Sequence, residues 1–304
     1  MLICIGEILV DLIGVKDNSD ETYRRFAGGA PFNVACAAKK MGCSVGFVGN
    51  VGDDLFGRFL SEFVASRKLD YTDIRTDVEH NTTLAIVQLD SLGERKFCFM
   101  RKNSAGYRIT KSQAKKAVMS ADTVCLGTLM LSEPCGYELA EYIVELTAKY
   151  KKRLCIDVNY RDDIYGDKDP VHIYKKFLER ADVVKLSEDE ADIFASGNSL
   201  EERHKYIGAG KLVCVTLGKR GCAYAFNSKI RYVDSIKITP VDTTGAGDAF
   251  FGCLLSQLDG TALEDIDEQA LDKMFHRANV CGALTATAHG AIDALPDKES
   301  VFFV

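Results

Sequence analysis

The sequence predicts a doubly wound α/β fold with a mainly parallel sheet, helices on both faces and a small additional β-sheet. Two observations predict the main sheet: its short strands are wholly apolar, and they alternate with segments of helical pattern. The third observation is a change of sequence pattern near residues 8–27 and 81–101, where β-rich segments interrupt the alternation of strands and helices. We expect these two segments to form a lid on a single domain that spans residues 1–304.

The alternation runs along the whole chain. We predict strands at 2–5, 44–49, 123–127, 154–158, 182–186, 212–216, 222–226 and 230–238. We predict helices at 29–41, 54–67, 135–150, 171–180, 246–259 and 268–288. Gly42 favours the end of the first helix, because glycine is common just beyond a helix C-terminus. Residues 83–89 and 95–100 predict the two strands of a hairpin, joined by a turn at 90–93.

Composition limits the classes of partner. The formal net charge of −6 leaves no basic field for nucleic acid or an anionic membrane. No apolar window is long enough for a membrane span, and the N-terminus lacks the features of a signal peptide. The 11 cysteines include no C-x-x-C pair, which favours reduced thiols. We therefore expect a cytoplasmic protein.

The strongest motif is DTTGAGDAF at residues 242–250, just ahead of a helical pattern. Its small residues let consecutive backbone N–H groups converge at a helix N-terminus, which suits a transferring phosphoryl group. Asp248 falls in the first helical turn, where its carboxylate can accept a proton from a bound hydroxyl. A capped helix after a glycine turn explains the same residues without catalysis. The motif is not a Walker A loop, because no Gly-Lys-Ser/Thr follows.

A second glycine-rich element, AGGAPFNVA, occupies residues 27–35. Its paired glycines permit close backbone approach, and Asn33 offers donors and acceptors to a polyol. The alternative is a plain helix entry with Pro31 at an early helical position. Taken alone, the element favours the helix entry.

Polar residues follow several of the apolar strands. Glu7 and Asp11 come after the first strand, and Asn159 and Arg161 come after the strand at 154–158. Ligands of α/β folds bind beyond the carboxyl ends of parallel strands. Recurrence at several strand ends therefore favours a ligand cleft over ordinary surface loops.

Two further strand ends suit a nucleotide. The acidic run at 188–190 either complements a helix dipole or uses Glu190 to position a hydrated Mg²⁺. Residues 216–221 end another strand with two glycines, either as a plain β-turn or as a nucleotide ledge.

Together these motifs resemble those of the ribokinase-like, phosphofructokinase-B type carbohydrate kinases. The resemblance covers nearly the whole chain, and the motifs follow one another in the family's order. GGAPFNVA at 28–35, GERKFCFMR at 93–101 and DVNYR at 157–161 look most like fructokinase sequences. The resemblance implies a ribokinase-like fold with a β-sheet lid over the sugar.

The resemblance also implies roles for individual residues. Asp248 would be the catalytic base, and the anion hole would be formed by the amides of Gly245, Ala246 and Gly247. The sugar side would comprise Glu7, Asp11, Gly28, Gly29, Asn33, Asn159, Arg101 and Arg161, the two arginines also lying near the phosphates. The nucleotide would face Ser187, Thr216, Gly218, Gly221 and Asn279. A monovalent cation such as K⁺ would lie near Asp242 and Thr244, although Ala294 lacks the side-chain ligand of some relatives.

The implied activity is phosphoryl transfer from ATP·Mg²⁺ to a primary hydroxyl, O6 of fructose. One alternative is a kinase for another sugar or sugar acid, such as ribose, a nucleoside or 2-keto-3-deoxygluconate, with Arg101 or Arg161 facing the carboxylate. Phe32 and Ser187 depart from the residues common in the family and leave the sugar open. Another alternative is a non-catalytic sugar-binding regulator, which the intact Asp248 disfavours. Relatives also form lid-to-lid homodimers.

Overall fold

The structure is a computed structural model that describes residues 1–17, 20–89, 95–166, 168–195, 210–227 and 229–303. The strands are β1 Leu2–Ile5, β2 Leu9–Asp17, β3 Asp20–Gly28, β4 Val45–Gly52, β5 Tyr71–Asp77, β6 Leu84–Leu89, β7 Arg95–Met100, β8 Thr123–Leu126, β9 Arg153–Asp157, β10 Val183–Ser187, β11 Leu212–Thr216, β12 Cys222–Phe226 and β13 Lys229–Val233. The helices are α1 Ala30–Lys40, α2 Leu55–Ser66, α3 Lys111–Ser120, α4 Pro134–Lys149, α5 Pro170–Leu178, α6 Glu188–Phe194, α7 Ala246–Leu258, α8 Glu268–Thr285 and α9 Lys298–Phe302.

The strands form two sheets. The larger has nine strands in the order β13-β12-β11-β10-β9-β8-β1-β4-β5. Its pairs are parallel from β5 through to β11, and only β12 and β13 pair antiparallel. The smaller sheet has the order β3-β2-β6-β7 and contains the two segments that the sequence sets apart from the main alternation. The predicted fold class is therefore confirmed.

The apolar strands are buried on both faces because each successive side chain points to an opposite side of the sheet. In β1, Ile3 and Ile5 pack into a core with residues of α3, α4, α5 and α6. Leu2 and Cys4 pack into a second core with residues of α1, α2, α7 and α8. Helices thus cover both faces, as the wholly apolar strands predict.

Two predicted elements are too long. The strand predicted at 230–238 ends at Val233, because its partner strand β12 begins at the paired residue, Cys222. The helix predicted at 268–288 ends at Thr285, because the carbonyl of Ala286 accepts hydrogen bonds from the amides of residues 241 and 242. The predicted turn at 90–93 lies outside the described residues.

Besides the short α9, two elements without a strong apolar pattern escape the sequence analysis. β5 is an outer strand of the large sheet with many half-exposed and exposed side chains, so it lacks an apolar run. α3 has a capping box between Thr110 and Gln113 but a mostly polar sequence.

Of the described helices, none is long and apolar enough to cross a membrane. All 11 cysteines lie in the described ranges and are free thiols.

Candidate active site

A cavity of about 350 Å³ lies between the carboxyl ends of the central strands and the smaller sheet. The smaller sheet contributes Leu9, Asp11 and Phe99 to its wall. The large sheet contributes residues that follow β1 and β9. The sequence-predicted residues that line the cavity are Glu7, Asp11, Gly29, Asn33, Asn159, Arg161, Thr244, Gly245, Gly247 and Asp248.

Asp248 lies in the first turn of α7 and faces this cavity. Nδ2 of Asn33 donates a hydrogen bond of 2.8 Å to Oδ2 of Asp248, which joins the two glycine-rich motifs across the fold. Burial raises the pKa of Asp248, whereas the Asn33 hydrogen bond and the charges of Lys185 and Arg161 oppose that rise. The result is a fixed carboxylate with enhanced proton affinity, as a general base requires.

Gly245 directs the chain into α7. Its φ of 74° is left-handed, and a Cβ there would lie 2.3 Å from Cβ of Ala291. The turn therefore requires glycine for both conformation and close packing. The first-turn amides of any helix lack i−4 partners and can bind an anion. The amide of Ala246 is also 3.2 Å from the carbonyl of Thr243, whereas Gly247 lies directly on the cavity wall.

The side of the cavity formed by Glu7 and α1 contains polar atoms with no protein partner among the described residues. Glu7 is only 6% exposed. Within the described part of the chain, neither its Oε2 nor Oδ1 of Asn33 has a hydrogen-bond partner. Burial, together with the charge of Asp248, raises the pKa of Glu7 to about 8 and that of Asp11 to about 7. Unpaired buried polar atoms are costly, so a hydroxyl-rich ligand would stabilise them.

The paired glycines allow both carboxylates to pack against the start of α1. Gly29 has a φ of 109°, and a Cβ there would lie 2.6 Å from the carbonyl oxygen of Glu7. A Cβ on Gly28 would lie 2.1 Å from Oδ2 of Asp11. Pro31 also lies in the first turn of α1, so the plain helix entry and the ligand site are both present in the same element.

Asn159 and Arg161 reach the cavity from the segment after β9. Asn159 has a φ of 38°, a left-handed conformation that a non-glycine residue adopts only under constraint from its surroundings. Nη1 of Arg161 donates to the carbonyl of Tyr160, and the guanidinium lines the cavity as a cation.

Arg101 makes hydrogen bonds to three other segments of the chain. Its Nη1 donates to the hydroxyls of Tyr107 and Ser132 at 2.6 and 2.7 Å, and its Nη2 donates to the carbonyl of Ile164 at 2.5 Å. The guanidinium is thereby committed to the segments beneath the smaller sheet and does not line the cavity. Contact with the sugar or the phosphates stays a prediction.

Ser187 and Glu190 form a capping box at the start of α6. The Ser187 hydroxyl accepts from the Glu190 amide, and Oε2 of Glu190 accepts from the Ser187 amide at 2.7 Å. Oε1 of Glu190 accepts from the amide of Tyr160, also at 2.7 Å. The carboxylate thus fixes two strand ends, and its predicted role near Mg²⁺ stays a prediction.

The other predicted nucleotide residues also have structural contacts. Oγ1 of Thr216 donates to the carbonyl of Leu186, and Gly218 and Gly221 bound the short turn that joins β11 to β12. Nδ2 of Asn279 donates to the carbonyl of Val233 at 2.9 Å. These residues lie outside the cavity, and their contact with a nucleotide is untested.

Asp242 organises the loop before α7. It is 4% exposed, its Oδ1 accepts from the amide of Thr244 at 2.8 Å, and its Oδ2 accepts from the amide of Gly290 at 3.3 Å. His289 lies 3.8 Å from the same Oδ2. Asp242 therefore ties the glycine turn before α7 to the segment that follows α8, and the predicted cation site is untested.

Apart from Ala30 and Thr243, which lie within the two glycine-rich motifs, the sequence analysis missed four cavity residues: Lys185, Leu9, Phe99 and Leu129. A lysine inside the apolar strand Val183–Ser187 is an available signal for the first, because lysine is almost never buried without a partner. Phe99 and Leu129 resemble ordinary core residues in sequence. Only the meeting of the two sheets places them at the cavity.

Comparison with known proteins gives one consistent family. Residues 1–298 match the pfkB family carbohydrate kinase. The chain is 34% identical to "Probable fructokinase-7" of Arabidopsis thaliana over 318 residues, covering 99% of this chain and 91% of the relative. It is 33% identical to "Fructokinase-1" of Oryza sativa subsp. japonica over 313 residues, covering 99% and 96% of the two chains.

Solved structures agree with the relatives. A fructokinase with bound ATP from Xylella fastidiosa is 26% identical and superposes with a TM-score of 0.88, covering 99% of this chain and 97% of that one. A fructokinase from Vibrio cholerae O395, in a fructose, ADP and calcium ion bound form, is 30% identical with a TM-score of 0.86, covering 99% and 98%. The sequence-based resemblance is confirmed, and the chain belongs to the pfkB family of carbohydrate kinases.

Proposed function

We propose that the protein is an ATP-dependent fructokinase that transfers the γ-phosphoryl group to O6 of fructose with Asp248 as the base. The observation that carries this proposal is the Asp248 carboxylate, which Asn33 fixes at the N-terminus of α7 inside a polar cavity. The named relatives and the two solved structures described above are fructokinases, which supports fructose as the acceptor.

In this proposal each part of the site has a task. Glu7, Asp11 and Asn33 accept or donate hydrogen bonds to sugar hydroxyls and hold the reacting one beside Asp248. Asp248 accepts the proton of that hydroxyl. The amides of the first turn of α7 stabilise the charge on the transferring group. ATP supplies the electrophilic phosphoryl group, and closure of the smaller sheet over the cavity would exclude water that would otherwise hydrolyse it.

The proposal includes Mg²⁺ bound together with ATP, for which Glu190 is the candidate carboxylate. The described residues contain no group of three or more His, Cys, Asp or Glu side chains able to hold a metal. Mg²⁺ usually keeps several waters and is held by one or two carboxylates together with substrate phosphates. Glu190, which would act through water, and a K⁺ ion near Asp242 and Thr244 remain parts of the proposal.

A neutral sugar fits the cavity better than a sugar acid. Glu7 and Asp11 both face the acceptor side, and they would repel an added carboxylate above about pH 7 to 8, where carboxyl groups with their raised pKa values are ionised. Arg161 is the one arginine on the cavity wall in the described ranges, while Arg101 is committed to other partners. This balance of charge favours fructose over 2-keto-3-deoxygluconate.

The proposal has further parts that follow from the family resemblance. The smaller sheet would act as the lid, two copies would associate through it as a homodimer, and the enzyme would work in the cytoplasm. Light scattering after size exclusion tests the dimer directly.

A coupled assay of ADP release over a panel of sugars tests the function. The panel contains fructose, ribose, a nucleoside and 2-keto-3-deoxygluconate, and Asp248→Ala serves as the control for a contaminating kinase. We expect fructose to give the highest kcat/KM. A higher value for any other member would replace fructose, and sugar binding without ADP release would show a non-catalytic protein.

A further inference from the structure

We propose that Lys185 binds the phosphoryl group during its transfer, and that Asp157 holds the lysine in place for this task. The inference rests on the kinase activity proposed above and adds a residue to its machinery. Neither residue has another task in that mechanism.

The position of Lys185 follows from the register of two parallel strands. Lys185 in β10 is the direct partner of Asp157, the last residue of β9, so both side chains leave the same face of the sheet. Nζ of Lys185 lies 2.8 Å from both Oδ1 and Oδ2 of Asp157. The two side chains are 8% and 7% exposed, so the pair has little freedom to reorient.

The ammonium group lies against the anion-binding turn. A Cβ on Gly247 would lie 3.2 Å from Nζ of Lys185, so the cation contacts the backbone of the first turn of α7. The N-terminus of a helix carries partial positive charge and disfavours a nearby cation. Two positive features therefore meet at one wall of the cavity, where an anion would stabilise both.

The hydrogen bonds of Lys185 leave capacity for a ligand. An ammonium group has three N–H donors, and Asp157 accepts two of them. In the part of the chain that the structure describes, no third acceptor is hydrogen-bonded to Nζ. A phosphoryl oxygen in the cavity can accept the remaining N–H.

A purely structural ion pair is the alternative. Burying two charges costs about as much as their attraction returns, and apolar side chains often replace such pairs without loss of stability. Apolar residues occupy the neighbouring positions 183, 184 and 186 of β10, where they are buried. Burial opposes the charge of Lys185, but Asp157, Glu190 and Asp248 keep its pKa above its ordinary value. Lys185 therefore stays cationic at neutral pH.

Lys185 contributes a positive charge to the transfer step but does not itself react. The bond between the sugar oxygen and γ-phosphorus forms while the bond from γ-phosphorus to the β,γ-bridging oxygen breaks. The hydroxyl proton goes to Asp248, and ADP leaves. Lys185 keeps its proton and offsets the negative charge on the oxygens of the transferring group.

Lys185→Met tests the inference, with Lys211→Met as the matched control. Lys211 is half-buried beside the start of β11, and its Nζ donates to the carbonyl of Leu178 at the opposite end of the sheet. We expect Lys185→Met to lower kcat about 10²–10³-fold, the usual cost of one electrostatic group, with the KM for fructose within about threefold. Lys185→Arg, which keeps the charge, should retain more activity, and Lys211→Met should match wild type.

Ligand binding separates the phosphoryl role from a structural one. ADP lacks the transferring group, whereas ADP with aluminium fluoride and fructose imitates it. We expect Lys185→Met to bind ADP about as well as wild type and to lose about tenfold or more in affinity for the aluminium fluoride complex. A structural defect would weaken both ligands equally.

The variant Lys185→Met leaves the buried Asp157 carboxylate without its cation. The double variant Lys185→Met/Asp157→Asn removes both charges, and each measurement is repeated on it. A kcat within about threefold of wild type, or equal losses for both ligands, would overturn the inference. A wild-type protein that phosphorylates no sugar would instead overturn the proposed function.

Discussion

The two sides of the candidate active site satisfy their polar groups in opposite ways. On the acceptor side, Glu7 and Asn33 carry buried oxygen atoms that no described residue pairs. On the predicted donor side, Ser187, Glu190 and Asn279 make hydrogen bonds to backbone groups. Without a ligand, the unpaired oxygens of the acceptor side therefore destabilise the folded protein. The hydrogen bonds of the donor side stabilise the fold whether or not a nucleotide is bound.

This difference separates the residues that can determine sugar specificity from those that stabilise the fold. Buried unpaired groups reject any ligand that fails to pair with them, so the acceptor side can discriminate among sugars. Ser187 and Glu190 cap the start of α6 and hold the chain at the ends of β9 and β10, so they stabilise the fold independently of any contact with a nucleotide. Substitutions should therefore affect turnover most at the junction of the two sides and stability most at the edges.

The largest effect is expected at the junction. Asp248→Ala should lower kcat by about 10²–10⁴-fold, the usual range for a lost general base, with a smaller effect on the affinity for ATP. Steady-state kinetics with fructose and nucleotide binding by calorimetry measure the two quantities. Turnover close to wild type would contradict the assignment of Asp248.

Gly245→Ala tests the turn that carries the anion-binding amides. The added Cβ would approach Cβ of Ala291 to 2.3 Å, so the turn must shift, and we expect kcat to fall about 10²-fold. Gly260→Ala is the matched control, because its φ of 77° is similar and no atom lies within 4 Å of the new Cβ. Equal losses in the two variants would attribute the effect to the left-handed backbone alone.

Glu190→Gln tests whether Glu190 on the donor side acts on Mg²⁺. Loss of the carboxylate charge should raise the Mg²⁺ concentration for half-maximal rate about tenfold, if Glu190 acts on the hydrated ion. Glu188→Gln, an exposed neighbour that pairs with Arg220, should leave the Mg²⁺ dependence unchanged. If only the melting temperature of Glu190→Gln falls, the residue is a helix cap and nothing more.

The last prediction concerns stability, not turnover, on the acceptor side. The pKa of Glu7 is about 8 in the folded protein and 4.5 as its ordinary value, so its contribution to folding is full below pH 4.5 and is lost as pH rises towards 8. Glu7→Gln should therefore be more stable than wild type by on the order of 2–4 kcal/mol near pH 8, and similar to it near pH 4.5. Denaturant unfolding of the ligand-free protein at both pH values measures this.

Glu79→Gln, an exposed position, is the control for the stability measurement. Wild type and Glu7→Gln with parallel stability profiles over this pH range would show that Glu7 is ionised in the folded protein. The ionised Glu7 would then cost the protein no free energy of folding, in contrast to the destabilised acceptor side described above.

Much of the architecture was predictable because short apolar strands and glycine-terminated helices have strong local patterns. β5 and α3 were missed since neither buries a clear apolar face. Asp248, Asn33 and Glu7 were predictable as polar residues beside glycines or strand ends, where backbone geometry favours a ligand. Lys185 and Phe99 were not assigned to the site, because their place in the cavity depends on the register of β9 with β10 and on the meeting of the two sheets.

By itself the sequence determined the local features on which the proposed chemistry rests: a carboxylate in the first turn of a helix, a glycine turn before it and polar residues after apolar strands. These features are local, so residue order and backbone preference specify them. The tertiary structure decided which groups face one another. Residues 215 positions apart meet in the Asn33–Asp248 hydrogen bond, and Lys185 meets both Asp157 and Gly247. Such contacts depend on long-range strand pairing and helix packing, which no local pattern encodes.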